Sequence, residues 1–309
     1  MYGGYITDIP GIEVGHYTDA EGKTGVTAVI ARQGAVCGCD VRGGAPGTRE
    51  TALARPGQLV EKAHAAVLSG GSAFGLAAAS GVMNELERRG VGLDMGVARV
   101  PIVLSAVLYD LEYGRADIRP TEESGVKAVL AASKDERRMG SIGAGTGATA
   151  GKAFGMQCCE KCGLGSASIT LADGVIVSAI VAVNALGDVY DESGSIICGA
   201  RNENGYINTE RTILTSSNTS AKAGGNTTIG IVATNAVLDK AQACRMASVA
   251  HNGYALAIRP VHTMFDGDTV FSLATCEKKA DTTAVFTAAQ TVMRYAIINA
   301  ALASKQGLF

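Results

Sequence analysis

The stretch Ala223-Gly224-Gly225-Asn226-Thr227-Thr228-Ile229-Gly230-Ile231-Val232-Ala233-Thr234 sets a polar, glycine-rich segment against the head of an apolar strand. Residues 204–225 are rich in Asn, Thr, Ser and Gly and read as a flexible loop. Residues 227–234 read as a β-strand. A hydroxyl residue, Thr227, stands at the boundary. Glycine ahead of it allows the scissile peptide to be accessible and strained. In that setting the hydroxyl can attack the preceding carbonyl, and an N→O acyl shift gives an ester that water cleaves. The product is a threonine whose free α-amine, with a pKa near neutrality, lies beside its own Oγ and can act as a general base. The same residues also suit an ordinary turn before a strand, so the junction alone leaves both readings open.

Downstream of the junction a helix is expected over 239–258, a strand over 269–275 and a long Ala-rich helix over 282–303. Upstream, 168–171, 175–184 and 189–190 read as a β-meander joined by tight turns. Residues 25–31 and 35–41 are two β-type runs separated by Arg32-Gln33-Gly34, which predicts a hairpin. Residues 7–14 read as a leading arm, 43–48 as a loop and 63–68 as the start of a strand or turn. Helices are expected over 73–89, stopped by Gly90, and over 122–134. Helices thus alternate with antiparallel-looking strands, and no dinucleotide-binding βαβ series emerges. An α+β layered sandwich in a single domain fits this pattern.

Composition narrows the function classes. With 47% hydrophobic and 18% charged residues among 309, the chain has the make-up of a soluble globular protein with ample core material. A formal net charge of -2 and the lack of a basic arm argue against nucleic-acid binding. No apolar run reaches the ~18 residues of a membrane span. The N-terminus, Met1-Tyr2-Gly3-Gly4-Tyr5, lacks a signal-peptide pattern, which makes the cytoplasm the expected location. Trp is absent, so the core must rely on Ala, Val, Ile and Leu around closely packed glycines.

Several constellations carry possible chemistry. Gly143-Ala144-Gly145-Thr146-Gly147-Ala148-Thr149-Ala150-Gly151-Lys152 invites a phosphate-loop reading, but its spacing fails and Ala153 follows the lysine. Asp266-Gly267-Asp268 places two carboxylates two residues apart, which suits a cation or the orientation of a hydroxyl and an ammonium. An acidic turn is the plainer alternative. Asn184 closes an apolar strand, where its amide can donate to an oxyanion or cap a turn. Tyr109 has a similar status. The four histidines, at 16, 64, 251 and 262, are scattered, and no Gly-x-Ser-x-Gly elbow precedes any of them. A Ser-His-Asp hydrolase is therefore disfavoured, and single histidines of this kind are usually structural. Cys158, Cys159 and Cys162 supply at most three ligands with no close histidine, so no metal or other cofactor is expected.

Taken in order, these pieces resemble the P1 family of peptidases. That family includes L-aminopeptidase/D-esterases, β-peptidyl aminopeptidases and 6-aminohexanoate-oligomer (nylon-oligomer) hydrolases. The resemblance runs from Ile12-Glu13-Val14-Gly15-His16 and Asp40-Val41-Arg42-Gly43-Gly44 through Ser69-Gly70-Gly71-Ser72-Ala73-Phe74-Gly75-Leu76 and the segment ending at Lys152, to His262-Thr263 and Asp266-Gly267-Asp268-Thr269. It implies a four-layer α/β/β/α sandwich like that of the N-terminal-nucleophile hydrolases. It also implies self-cleavage between Asn226 and Thr227 into chains 1–226 and 227–309, and assembly into a homotetramer. Around the junction the sequence is most similar to the nylon-oligomer hydrolases. On that similarity Thr227 is the nucleophile, oriented by Asp266 and Asp268, with Lys152 and Asn184 stabilising negative charge and Tyr109 touching substrate. The implied partner is a small or oligomeric amide. Two rival readings remain: an acyltransferase of the ornithine acetyltransferase type, and a metal- or redox-responsive protein built on the cysteine cluster.

Overall fold

A computed structural model describes residues 1–217 and 225–306. Its centre is a nine-stranded sheet. The strands are β1 (Ile12–Asp19), β2 (Thr24–Val41), β3 (Thr48–Arg49), β4 (Lys62–Ser69), β5 (Val103–Val107), β6 (Leu164–Thr170), β7 (Ile176–Asn184), β8 (Thr227–Ala236) and β9 (Thr269–Lys278). They run in the order β6-β7-β8-β9-β2-β4-β5-β3, with β1 also paired to β2. The principal helices are α1 (Ala77–Arg88), α2 (Glu122–Leu130), α3 (Thr209–Ser216), α4 (Lys240–Ala257) and α5 (Thr282–Lys305).

Side-chain alternation along the strands shows how one hydrogen-bonded sheet makes two layers. On β7, Val177, Ala179, Val181 and Val183 face a core shared with α4 and α5, while Ile180 and Ala182 face the opposite way. On β2, Val26, Ala28 and Ile30 face a core shared with α1 and α2, while Val29 and Ala31 turn towards Ile180 and Ala182. Ile229 and Ile231 of β8, Phe271 and Leu273 of β9, and Leu68 of β4 join that middle core. The period of two therefore stacks helices, strands, strands and helices around three apolar layers, the α/β/β/α arrangement expected.

The residues expected to turn a hairpin do not turn one. β2 is a single 18-residue strand through Arg32-Gln33-Gly34. Its register against β4 shifts between Ile30 and Ala35, and Gly34 takes a φ of 72°. The extra residues are absorbed as an irregularity that bends the strand instead of reversing it. β1 and the second half of β4 pair with the early part of β2, and β9 pairs with its later part. One strand thus belongs to both layers.

Other departures are local. The leading arm holds a 3-10 turn (Ile6–Asp8) and the start of β1. A 3-10 turn (Ser72–Leu76) precedes α1. The segment 204–225 includes a short strand (Gly205–Tyr206) and α3, so its described part is not all loop; residues 218–224 lie outside the described residues. The strands are not uniformly antiparallel: β4 with β5 and β8 with β9 are parallel pairs, linked through α1 and α4. Helix α4 starts where expected because Asp239 accepts from Gln242 N at 2.7 Å and Gln242 accepts from Asp239 N at 2.9 Å, a reciprocal cap. Among the described residues, no helix is long and apolar enough to cross a membrane.

Candidate active site

Strand order brings the expected residues to one place. Thr227 is the first residue of β8, and Asn184, the last residue of antiparallel β7, is its direct partner in the register. On the other side β9 runs parallel to β8, with Thr269 opposite Ile229. The Asp266-Gly267-Asp268 turn therefore enters beside the head of β8. Asn226, Thr227, Asp266, Asp268, Lys152 and Asn184 are all buried.

Lys152 arrives from outside the sheet. Its backbone N–H and that of Gly151 bond Leu186 O and Gly187 O, which docks the glycine-rich segment behind the end of β7. Gly151 has a φ of 79°, and a Cβ there would meet Ala200 N at 1.9 Å, so only glycine allows this approach. The lysine Nζ donates to Asn184 O at 2.9 Å, Asn184 Oδ1 at 2.6 Å and Gly225 O at 3.1 Å, the full complement of an ammonium. Burial nevertheless lowers its pKa to about 7, opposed by nearby Cys159, Asp266 and Asp110.

Asn184 is more committed than a free oxyanion donor would be. Its Nδ2 donates to Tyr109 O at 2.8 Å, and its Oδ1 also accepts from Thr149 N at 3.1 Å. It ties Lys152 to the Tyr109 segment. Tyr109 lines a cleft of about 190 Å³ together with Thr227, Ser72, Pro46 and Val107.

The two aspartates divide their contacts. Asp268 Oδ1 accepts from Thr228 N at 2.8 Å, and its Oδ2 accepts from His262 N at 3.1 Å and faces His262 Nδ1 at 2.8 Å. Asp266 Oδ2 accepts from Thr263 N at 2.9 Å and Thr263 Oγ1 at 2.5 Å. Burial and then the charge of Asp268 push Asp266 up to about 6. The turn is braced from behind: Ala45 N bonds Asp266 O at 2.8 Å, and Arg42 N bonds Asp268 O at 3.0 Å. Gly267 N donates to Asn226 O at 3.0 Å. The Thr227 hydroxyl also donates to Asn226 O, the carbonyl of the peptide bond that precedes it.

Sequence reasoning placed His262-Thr263 and residues 40–44 among the motifs of the resemblance but gave no role in the site to His262, Thr263 or the bracing segment at 42–45. His262 takes a left-handed φ of 58° to aim its ring at Asp268, and His251 packs edge-on against it with ring centroids 4.8 Å apart. The His-Thr pair four residues before the Asp-Gly-Asp turn was the available signal, because it supplies donors for both carboxylates. Of the cysteines, Cys159 lies near Lys152, Cys162 and Cys198 are buried, and Cys158 and Cys159 are partly exposed. Among the described residues, no three His, Cys, Asp or Glu side chains are grouped as a metal ion requires.

Two solved structures share the fold over 97% of this chain and 86% of theirs. They are a beta-aminopeptidase of Burkholderia sp. (TM-score 0.71, 21% identity) and the L-aminopeptidase D-Ala-esterase/amidase of Ochrobactrum anthropi (TM-score 0.69, 19% identity), a variant of the Ntn hydrolase fold. An uncharacterized aminopeptidase of Mycobacterium tuberculosis H37Rv is 44% identical over 288 residues, 87% of this chain and 81% of its own. A 6-aminohexanoate-oligomer endohydrolase of Kocuria sp. is 31% identical over 281 residues, 89% of this chain and 76% of its own. With the profile of Peptidase family S58 matching residues 4–307, the chain belongs to that family.

Proposed function

We propose that the protein is a self-processing amide hydrolase whose nucleophile is Thr227, released as an N-terminal residue by scission of the Asn226–Thr227 bond into chains 1–226 and 227–309. One observation carries the reading: the Thr227 hydroxyl lies against the carbonyl it would attack, within a buried set of two carboxylates and a lysine. The likeness to aminopeptidases and to an amide endohydrolase supports it and sets the acyltransferase reading aside.

The hydrogen bonds suggest separate roles for the aspartates. Asp268 has both oxygens engaged by Thr228 and His262, so it fixes the head of β8. Asp266, with a pKa of about 6, is the better proton acceptor near neutrality. In the mature enzyme the Thr227 amine takes over as base. Thr227 Oγ attacks a substrate amide carbonyl, the amine product leaves and water hydrolyses the acyl-enzyme. The Lys152 ammonium disfavours protonation of the neighbouring amine and offsets developing negative charge. Tyr109 contacts the acyl part of the substrate in the cleft.

Thr227→Ala is expected to give one chain of 31.5 kDa with no release of p-nitroaniline from amino-acyl p-nitroanilides. N-terminal sequencing of the smaller wild-type fragment should begin at Thr227. A Thr227→Ala chain that still splits would end the proposal.

A further inference from the structure

The self-cleavage reading leaves open what holds the negative charge on the Asn226 carbonyl oxygen during attack. The two side chains expected to do so are directed elsewhere: Lys152 Nζ bonds Gly225 O, one peptide earlier, and Asn184 Nδ2 bonds Tyr109 O. Gly267 N–H points at the oxygen itself, at 3.0 Å.

We propose that the Gly267 backbone amide is the oxyanion donor of the chain's own scission; this rests on the cut falling at Asn226–Thr227. The distance lies within the range, about 2.7–3.1 Å, at which such donors act. The donor is also fixed in advance. Asn226 and Asp266 form an isolated parallel bridge. The backbone around Gly267 is pinned by Ala45 N and Arg42 N, and both flanking carboxylates are tied to 262–263. A donor that need not reorganise is worth most in a buried site. The residue type follows from the same geometry: a Cβ at position 267 would lie 2.8 Å from Thr227 Oγ1 and 2.8 Å from Ala45 O. Glycine therefore lets the amide reach the carbonyl without pushing the nucleophile away.

The step balances as follows. A bond forms between Thr227 Oγ and the Asn226 carbonyl carbon, the hydroxyl proton passes to the Asp266 carboxylate, and the carbonyl electron pair moves onto the oxygen held by Gly267 N–H. Collapse breaks the C–N bond, and the Thr227 nitrogen takes the proton back from Asp266. Water then hydrolyses the Asn226–Oγ ester, leaving a carboxylate on Asn226 and restoring the threonine hydroxyl.

The direct test replaces residue 267 with glycolic acid by cell-free translation, which turns its amide into an ester and deletes the N–H without adding a side chain. The same exchange at exposed Gly57 controls for the chemistry. Loss of the donor should slow conversion of the full chain into two fragments by about 10²–10³-fold, and the Gly57 ester should cut at the wild-type rate. A second measurement does not depend on that variant folding. In the uncut Thr227→Ala chain, the Gly267 amide proton should be protected from hydrogen exchange. Wild-type cutting speed in the 267 ester, or an amide at 267 that exchanges as fast as an unstructured glycine, overturns the proposal. If the wild-type chain stays whole or is cut elsewhere, the underlying reading fails instead.

Discussion

Replacing Asp268 with asparagine isolates the part of the site that aligns the nucleophile. The carboxylate receives three donors: Thr228 N–H, His262 N–H and His262 Nδ1–H, the last set as donor by its carboxylate partner. In Asp268→Asn the amide oxygen can keep Thr228, but the new NH2 then faces two donors on His262. The ring can answer by changing tautomer; the backbone N–H cannot. One buried N–H left without an acceptor costs about 1–3 kcal/mol, and losing charge assistance in the surviving bonds costs about 1 kcal/mol more. The total, about 2–4 kcal/mol, corresponds to a Tm drop of about 3–6 °C for a chain of this size. The comparison belongs in a Thr227→Ala background, where every molecule is uncut, and is read by thermal melts of the single and double variants. In the Thr227 background, a shift of ~1 Å at Thr228 should slow self-cleavage about 10²-fold. A double variant that melts with the single one, together with unchanged cutting by Asp268→Asn, would refute this assignment of roles.

The pH dependence of self-cleavage tests the other two ionisable groups. The rate should rise as Asp266 ionises through about 6 and fall as Lys152 loses its proton through about 7, so the maximum lies between them. Lys152→Met should slow cutting and abolish the alkaline limb, and a wild-type rate still climbing at pH 8 would show that the neutral lysine is the active form. Gly151→Ala should destabilise the fold by about 3 kcal/mol or more, because its Cβ runs into the Ala200 backbone and its φ is left-handed; chemical denaturation in the uncut background measures this. Tyr109→Ala, which opens the cleft wall, should raise KM for a p-nitroanilide about ten-fold while leaving fragment formation intact on a denaturing gel.

Much of this was legible because the chemistry lies at the ends of strongly patterned strands. Asn184 closes an apolar run and Thr227 opens one, and pairing those runs makes the two residues neighbours. The Asp-Gly-Asp turn precedes another such run, β9, which completes the cluster. What local pattern could not show were contacts made across the chain. Arg42–Ala45 looks like an ordinary loop until β2 is placed beside β9 and carries it to the back of the turn. His262 looked like an isolated histidine because its partner's role depends on a strand pairing. The hairpin expected over 25–41 failed because Gly34 serves a bulge as readily as a reversal. Neighbouring strands on both sides of β2, invisible locally, decide for the extended form.

The place of β8 and β9 in the sheet bears on what a cut at 226–227 does to the assembled molecule. The fragment 227–309 would supply two interior strands, laddered to β7 on one flank and β2 on the other, and both helices that cover that layer. To separate, the pieces would have to unzip two ladders and expose two apolar cores at once. Covalent continuity is therefore dispensable for holding the pieces together. A denaturing gel should resolve two polypeptides where size-exclusion chromatography finds one inseparable particle, and fragments produced apart should remain unfolded until they are mixed.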